Sequence, residues 1–180
     1  MPNNTTHLID VVTDNVTDYK KTSLFLVFPY CSGKCGEECQ NKNLRKKKIK
    51  EFNNKDIITL YQSLNTHNAV VCGGLEPLDS FEELKQLIED FAKFSSIKPV
   101  DFVIYTGYDN LTNFDLLQAW KNYAEPGSEL IIKQGKYDIN HKIPWHSKLL
   151  GVDLATSNQE VSVFDYSGEL NHHEKSKIDA

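Results

Sequence analysis

The sequence predicts an α/β fold: an open partial (β/α) barrel with a mainly parallel sheet. Three observations lead there. First, Ser23–Phe28, Ala69–Cys72, Val100–Tyr105 and Glu129–Lys133 are short, largely apolar runs of strand length. Such runs suit strands covered on both faces. Second, stretches with a helical apolar period lie between them, and this alternation implies βαβ units. Third, four or five strands in 180 residues are too few for a closed eight-stranded barrel of roughly 250 residues.

Each element has a local reason. Leu8 to Thr13 alternates weakly and reads as a short strand. Ser23–Phe28 is stopped by Pro29. Asp56 to Leu64 reads as a helix with Ile57, Leu60, Tyr61 and Leu64 on one face. Ala69–Cys72 ends at Gly73-Gly74. Phe81 to Phe94 is the clearest helix, with Leu84, Leu87, Ile88 and Phe91 at helical spacing and Ser80 with Glu83 as a capping box. The aromatics Phe81, Phe91 and Phe94 are read as core-facing. Val100–Tyr105 ends at Thr106-Gly107. A third helix runs from Asn113 to Tyr123 and stops at Pro126-Gly127. Glu129–Lys133 ends at Gln134-Gly135, and Leu149 to Ala155 is a candidate fifth strand. The whole of 1–180 reads as one domain, with 1–22 as an N-terminal extension and 160–180 as a polar C-terminal tail.

Composition narrows the function. With hydrophobic residues at 39% and charged residues at 25%, the chain is globular rather than disordered. No apolar run approaches the ~20 residues of a membrane span. The first residues lack the basic segment and apolar core of a signal peptide, which points to the cytoplasm. A net charge of −5 argues against a general nucleic-acid binder. The charge is uneven: residues 42–50 hold six bases and no acid, against 14 bases and 25 acids elsewhere. Such a run reads as a solvated face, or as a docking patch for an acidic partner.

The chemistry concentrates at the strand ends, where parallel α/β sheets bind ligands. Cys31, Cys35 and Cys39 fall within nine residues after the first buried strand. In a cytosolic chain such a cluster suggests a metal or cluster site before a disulfide framework. Three thiolates suit a four-iron cluster with one open iron. They also suit zinc with a fourth ligand from Cys72 or a histidine, or redox-active thiols. Cys72 itself reads as a small buried residue at a strand end. Gly73-Gly74 lets the backbone approach a ligand, and the Glu76 carboxylate beyond it could accept hydrogen bonds from an amino group. His172-His173, and His141 and His146 around Pro144-Trp145, read as surface residues rather than ligands.

At these residues the chain resembles the radical S-adenosylmethionine (SAM) superfamily, and within it the activating proteins of anaerobic ribonucleotide reductase. The cysteine triplet followed by Gln40-Asn41 resembles the cluster loop. Gly73-Gly74-Leu75-Glu76-Pro77 resembles the Gly-Gly-Glu-Pro motif. Tyr105-Thr106-Gly107-Tyr108, Ile132-Lys133-Gln134-Gly135 and Ala155-Thr156-Ser157-Asn158-Gln159 resemble later motifs, in family order. The spacing C-x3-C-x3-C is one residue longer than usual. Glu38 stands where many members have an aromatic, and Leu75 is inserted. The longer spacing with GGLEP is similar to a divergent cluster-binding branch found in Firmicutes and their phages.

The resemblance implies that Cys31, Cys35 and Cys39 ligate a [4Fe–4S] cluster whose fourth iron chelates SAM. It implies that Gly73, Gly74 and Glu76 hold the methionine amino group, that Thr106 and Lys133 meet the ribose or carboxylate, and that Ser157 and Asn158 lie near the nucleoside. The implied reaction is reductive cleavage of SAM to form a glycyl radical on a partner, anaerobic ribonucleotide reductase. A flavodoxin-like reductant would be the electron donor; no nucleic acid or membrane partner is expected. The alternative is a noncatalytic metal-binding or iron–sulfur redox module using the same cysteine loop.

Overall fold

The computed structural model describes residues 4–32, 39, 41–94, 98–111 and 115–178. In chain order the elements are β1 (Thr5–Leu8), β2 (Asp10–Asn15), β3 (Ser23–Phe28), β4 (Lys50–Asn53), α1 (Asn54–Ser63), β5 (Ala69–Gly74) and α2 (Phe81–Phe94). They continue with β6 (Asp101–Tyr105), α3 (Leu116–Tyr123), β7 (Leu130–Gln134), β8 (Trp145–Ser147), β9 (Val152–Leu154), β10 (Glu160–Phe164) and β11 (Leu170–Lys175). Seven strands form one sheet in the order β11-β10-β7-β6-β5-β3-β2.

This sheet corrects the expected fold class. It is mixed, not mainly parallel, and it is not a helix-rich (β/α) barrel. β3, β5, β6 and β7 are parallel neighbours. β2 joins one side antiparallel, and β10 and β11 extend the other side antiparallel. Two further antiparallel ribbons, β1 with β4 and β8 with β9, stand apart. The described residues contain three α-helices, one per parallel crossover.

The error has a physical origin. Buried parallel strands announce themselves as apolar runs, but edge strands need bury only one face or none. β11 is mostly exposed, so Leu170–Lys175 looks like a polar tail in sequence. Its inner neighbour β10 buries Val161, Ser162 and Val163 against β7, so residues 160–175 are not a tail. Within 1–22, the Leu8–Thr13 stretch also splits. β1 leaves to pair with β4, and β2 pairs with β3. Leu149–Ala155 supplies no fifth strand to the sheet: its β9 segment pairs with β8, and β10 takes the place beside β7.

Each crossover steps one place along the sheet in the same direction. Right-handed crossovers then put every helix on one face. That face holds the larger core: Leu24, Leu26, Phe28, Val70, Cys72, Phe102 and Ile104 meet Ile57, Tyr61, Leu84, Leu87, Phe91 and Trp120. Phe91 stands edge-on to Tyr61 and Phe102, with ring centroids 5.5 and 5.1 Å away. The alternate strand residues Val71, Val103, Ile131 and Val161 pack on the other face under Tyr19, Leu150 and Leu154.

Caps set the helix entries. The Asn53 side chain accepts from Lys55 N and starts α1. The expected Ser80–Glu83 capping box is not formed. A 3₁₀ turn, Pro77–Ser80, runs straight into α2, so Ser80 is not the capping residue and its buried hydroxyl has no partner. Glu76 caps that turn, while Glu83 instead binds His7 through the backbone N–H and Nδ1. No helix among the described residues is long and apolar enough to cross a membrane.

Candidate functional site

The carboxyl ends of β3, β5, β6 and β7 enclose a cavity of about 590 Å³ on the helix-free side of the sheet. That size lies within the roughly 300–1,000 Å³ of small-molecule sites. Cys31, Cys39, Gly73, Gly74, Glu76, Thr106 and Lys133 all line it. Residues far apart in sequence therefore meet as expected, although the surrounding sheet is mixed.

The glycine motif is shaped by strand parity. Successive side chains of a strand point to opposite faces. Cys72 faces the helices and is fully buried there. Burial pushes its thiol far above the usual range, disfavouring the thiolate. Gly73 faces the cavity side, where a Cβ would come 3.0 Å from the Phe25 ring. Gly74 has φ +87°, and a Cβ there would lie 2.7 Å from Val27 Cγ1, so glycine is required. Beyond the strand, Leu75 N donates to Phe28 O at 3.1 Å and Glu76 N to Tyr30 O at 2.6 Å. Leu75 thus continues the pairing with the chain that leads into Cys31.

Glu76 joins two strand ends. Its Oε1 accepts from Leu78 N at 3.0 Å and its Oε2 from Gly107 N at 2.8 Å. The residue is 6% exposed. Burial raises its pKa above the ordinary carboxylate range; bonds from Gly107, Leu78 and Thr106 oppose this, and Asp79 adds to it. Thr106 is buried, its N–H donating to Lys133 O at 2.9 Å and its Oγ1 accepting from Tyr108 N at 3.0 Å. Lys133 Nζ donates to Gly135 O at 3.1 Å and lies 5.8 Å from the centroid of the Tyr105 ring, its neighbour in register.

The cysteine loop is fastened at both described ends. Ser32 N donates to Asp79 Oδ2 at 2.6 Å, and the Tyr108 hydroxyl donates to Asp79 Oδ1. The hydrogen bond to Asp79, then burial and the Asp79 and Glu76 charges, push the Tyr108 pKa up to about 12 against a lowering bond with the Ser32 side chain. On the far side, Asn41 Nδ2 donates to Gly74 O at 2.9 Å. Cys35 lies outside the described residues, so its expected place as a ligand does too. Among the described residues no three His, Cys, Asp or Glu side chains form a metal-holding group. The donor set still fits a thiolate-held centre: two soft sulfur donors, Cys31 and Cys39, border one cavity, while Cys72 is turned away from it.

Ser157 and Asn158 stand behind the wall rather than in it; Ala155 and Gln159 form that part of the lining. Ser157 N binds His141 O at 2.8 Å, and Asn158 Nδ2 binds Lys136 O at 3.0 Å while its buried Oδ1 has no partner. The sequence reading missed Val12, Asn15, Asp18, Phe25, Val27, Leu44, Asp153 and Leu154, which also line the cavity. Phe25 and Val27 were within reach, because they share the strand face of Gly73. Nothing local marks Asn15 or Asp18. Of the four histidines read as surface residues, three pair with nearby carboxylates: His141 with Asp138, His146 with Asp153 and His173 with Glu160.

Compared with known proteins, the chain matches no family model, no curated protein and no solved structure.

Proposed function

We propose that this protein is a radical SAM activase of a glycyl-radical enzyme, with anaerobic ribonucleotide reductase as the partner. The observation that carries the reading is the single cavity bordered by Cys31, Cys39, both glycines of the Gly-Gly-Leu-Glu-Pro segment and Glu76. Cys31, Cys35 and Cys39 would hold a [4Fe–4S] cluster, and Gly73, Gly74 and Glu76 would receive the SAM amino group. When bound, the pair would supply one-electron cleavage of SAM, the electron coming from the external reductant, and with it hydrogen-atom abstraction from the partner's glycine.

Glu76 supports the amino-group role. It is a buried carboxylate with two backbone donors, a hydrogen bond with the Thr106 side chain and, among the described residues, no salt-bridge partner. An ammonium group would complete it, since burial alone disfavours its charge. Lys133 and Thr106 offer polar groups at the neighbouring strand ends. Asn158 Oδ1, buried without a partner, leaves acceptor capacity behind the wall near Gly135. The Lys42–Lys46 turn, fastened to Gly74 through Asn41, sets the basic run beside the cavity and suits an acidic, flavodoxin-like reductant. The reaction belongs in the cytoplasm, where thiols stay reduced.

Anaerobic reconstitution with iron and sulfide, followed by reduction with SAM present, tests the reading. The expected product is 5′-deoxyadenosine at one equivalent of methionine. Bound iron–sulfur without SAM cleavage would favour a noncatalytic redox module, and zinc in place of iron would reject both iron–sulfur readings.

A further inference from the structure

Of the chain's 20 Lys and Arg residues, Arg45 alone is arginine. It lies inside the basic run, surrounded by lysines at 42, 46, 47, 48 and 50. Among the basic residues of that run that are described, it is the one whose side chain meets a sulfur at the cavity rim: Arg45 Nη2 is 3.9 Å from Cys31 Sγ. The backbone holds it in reach. Asn41 grips the Gly74 carbonyl at 2.9 Å, Leu44 N closes the turn on Asn41 O at 2.9 Å, and Leu44 itself lines the cavity. The turn is thus pinned to the end of β5, and Arg45 bridges from it to the sulfur that follows β3.

The residue type matters at this contact. A guanidinium is always charged, planar and weakly hydrated, so it can donate to a soft sulfur without shedding a tight water shell; a lysine ammonium is compact and strongly hydrated. A positive N–H donor at a ligating sulfur stabilises whichever state of the centre carries more negative charge. Hydrogen bonds to the sulfurs and net charge are the protein's levers on cluster potential.

Resting on the activase reading above, we propose that Arg45 is a positioning residue that makes the Cys31-ligated centre easier to reduce by one electron. Reduction adds one negative charge to the centre, taken from an external one-electron donor, and the guanidinium is the fixed charge that meets it. Among the described residues, none of the lysines around it makes such a contact with a sulfur.

The test is a potentiometric titration of the reconstituted full chain with chemical mediators, read by electron paramagnetic resonance. For Arg45→Gln the reduced-to-oxidised ratio at a fixed potential should fall three- to tenfold, the tenfold limit being about 59 mV for one electron. That range is what one charge at about 4 Å implies when screened as in bulk water. Arg45→Lys should give a smaller shift, and Lys47→Gln, which removes the same charge away from the sulfur, should give none. A wild-type potential in Arg45→Gln would overturn the proposal. So would equal shifts in Arg45→Gln and Lys47→Gln, which would indicate a diffuse field, or proportional iron loss in Arg45→Gln, which would indicate a scaffold. Wild-type protein that takes up no iron and sulfide would sink the activase reading as well, and that result appears before any variant is titrated.

Discussion

The two faces of the central sheet are made from alternate residues of the same strands, yet they do different work. On β5, Cys72 enters a core sealed by three helices, while Gly73, the next residue, borders an open cavity. On β3, Leu26 and Phe28 are fully buried on the helix side, while Phe25 and Val27 edge the cavity. The helix face is filled by close packing. The other face is filled only partway, by Tyr19, Leu150 and Leu154, and is left hollow at the carboxyl end. One face therefore stabilises the sheet, and the other leaves room for a ligand.

The largest expected effect comes from the packed face. Phe91→Ala removes a ring that touches two others and should cost about 3–5 kcal/mol in denaturant unfolding. Phe25→Ala, at the cavity wall, should cost less than half as much while changing small-molecule binding. Equal losses would erase the distinction between the faces.

Next in size is Gly74→Ala. Its φ of +87° and the 2.7 Å approach to Val27 Cγ1 predict a loss of about 1–3 kcal/mol. Thermal unfolding of the ligand-free protein checks this, and an unchanged melting temperature would show that the β5 end can relax.

The cysteines sharpen the comparison chemically. Cys72→Ala should keep full iron loading and cost about 1 kcal/mol of stability, as a modest core truncation does. Cys31→Ala and Cys39→Ala should lose the iron with little change in stability, because both lie at the partly exposed rim. Iron loss in Cys72→Ala would reverse the assignment of faces.

The smallest effect is a pH slope. Glu76 has a folded-state pKa above its unfolded value, so its protonated form favours folding. Its contribution is fully present below the unfolded pKa and is lost as pH rises through the folded one. Across that window the stability of wild type relative to Glu76→Gln should fall with rising pH. Parallel pH profiles for the two proteins would show that Glu76 does not titrate as its burial implies.

Much of this was legible in the residues. Ser23–Phe28 and Phe81–Phe94 could be bounded correctly from local apolar pattern, because an element buried on a continuous face must repeat at the period of its backbone. The gathering of Cys31, Gly73, Glu76, Thr106 and Lys133 also followed from order alone, since consecutive parallel strands present their carboxyl ends on one edge. What the sequence could not decide was the rest of the sheet. Edge strands such as β11 carry their own polar residues to solvent and are recruited by the backbone groups of a neighbour, which leave no side-chain signature. Nor could it place Arg45 against Cys31, or Asn158 behind the cavity wall rather than in it. Those positions depend on how a turn docks on a strand end, a contact between distant segments whose geometry exists only once the sheet has formed.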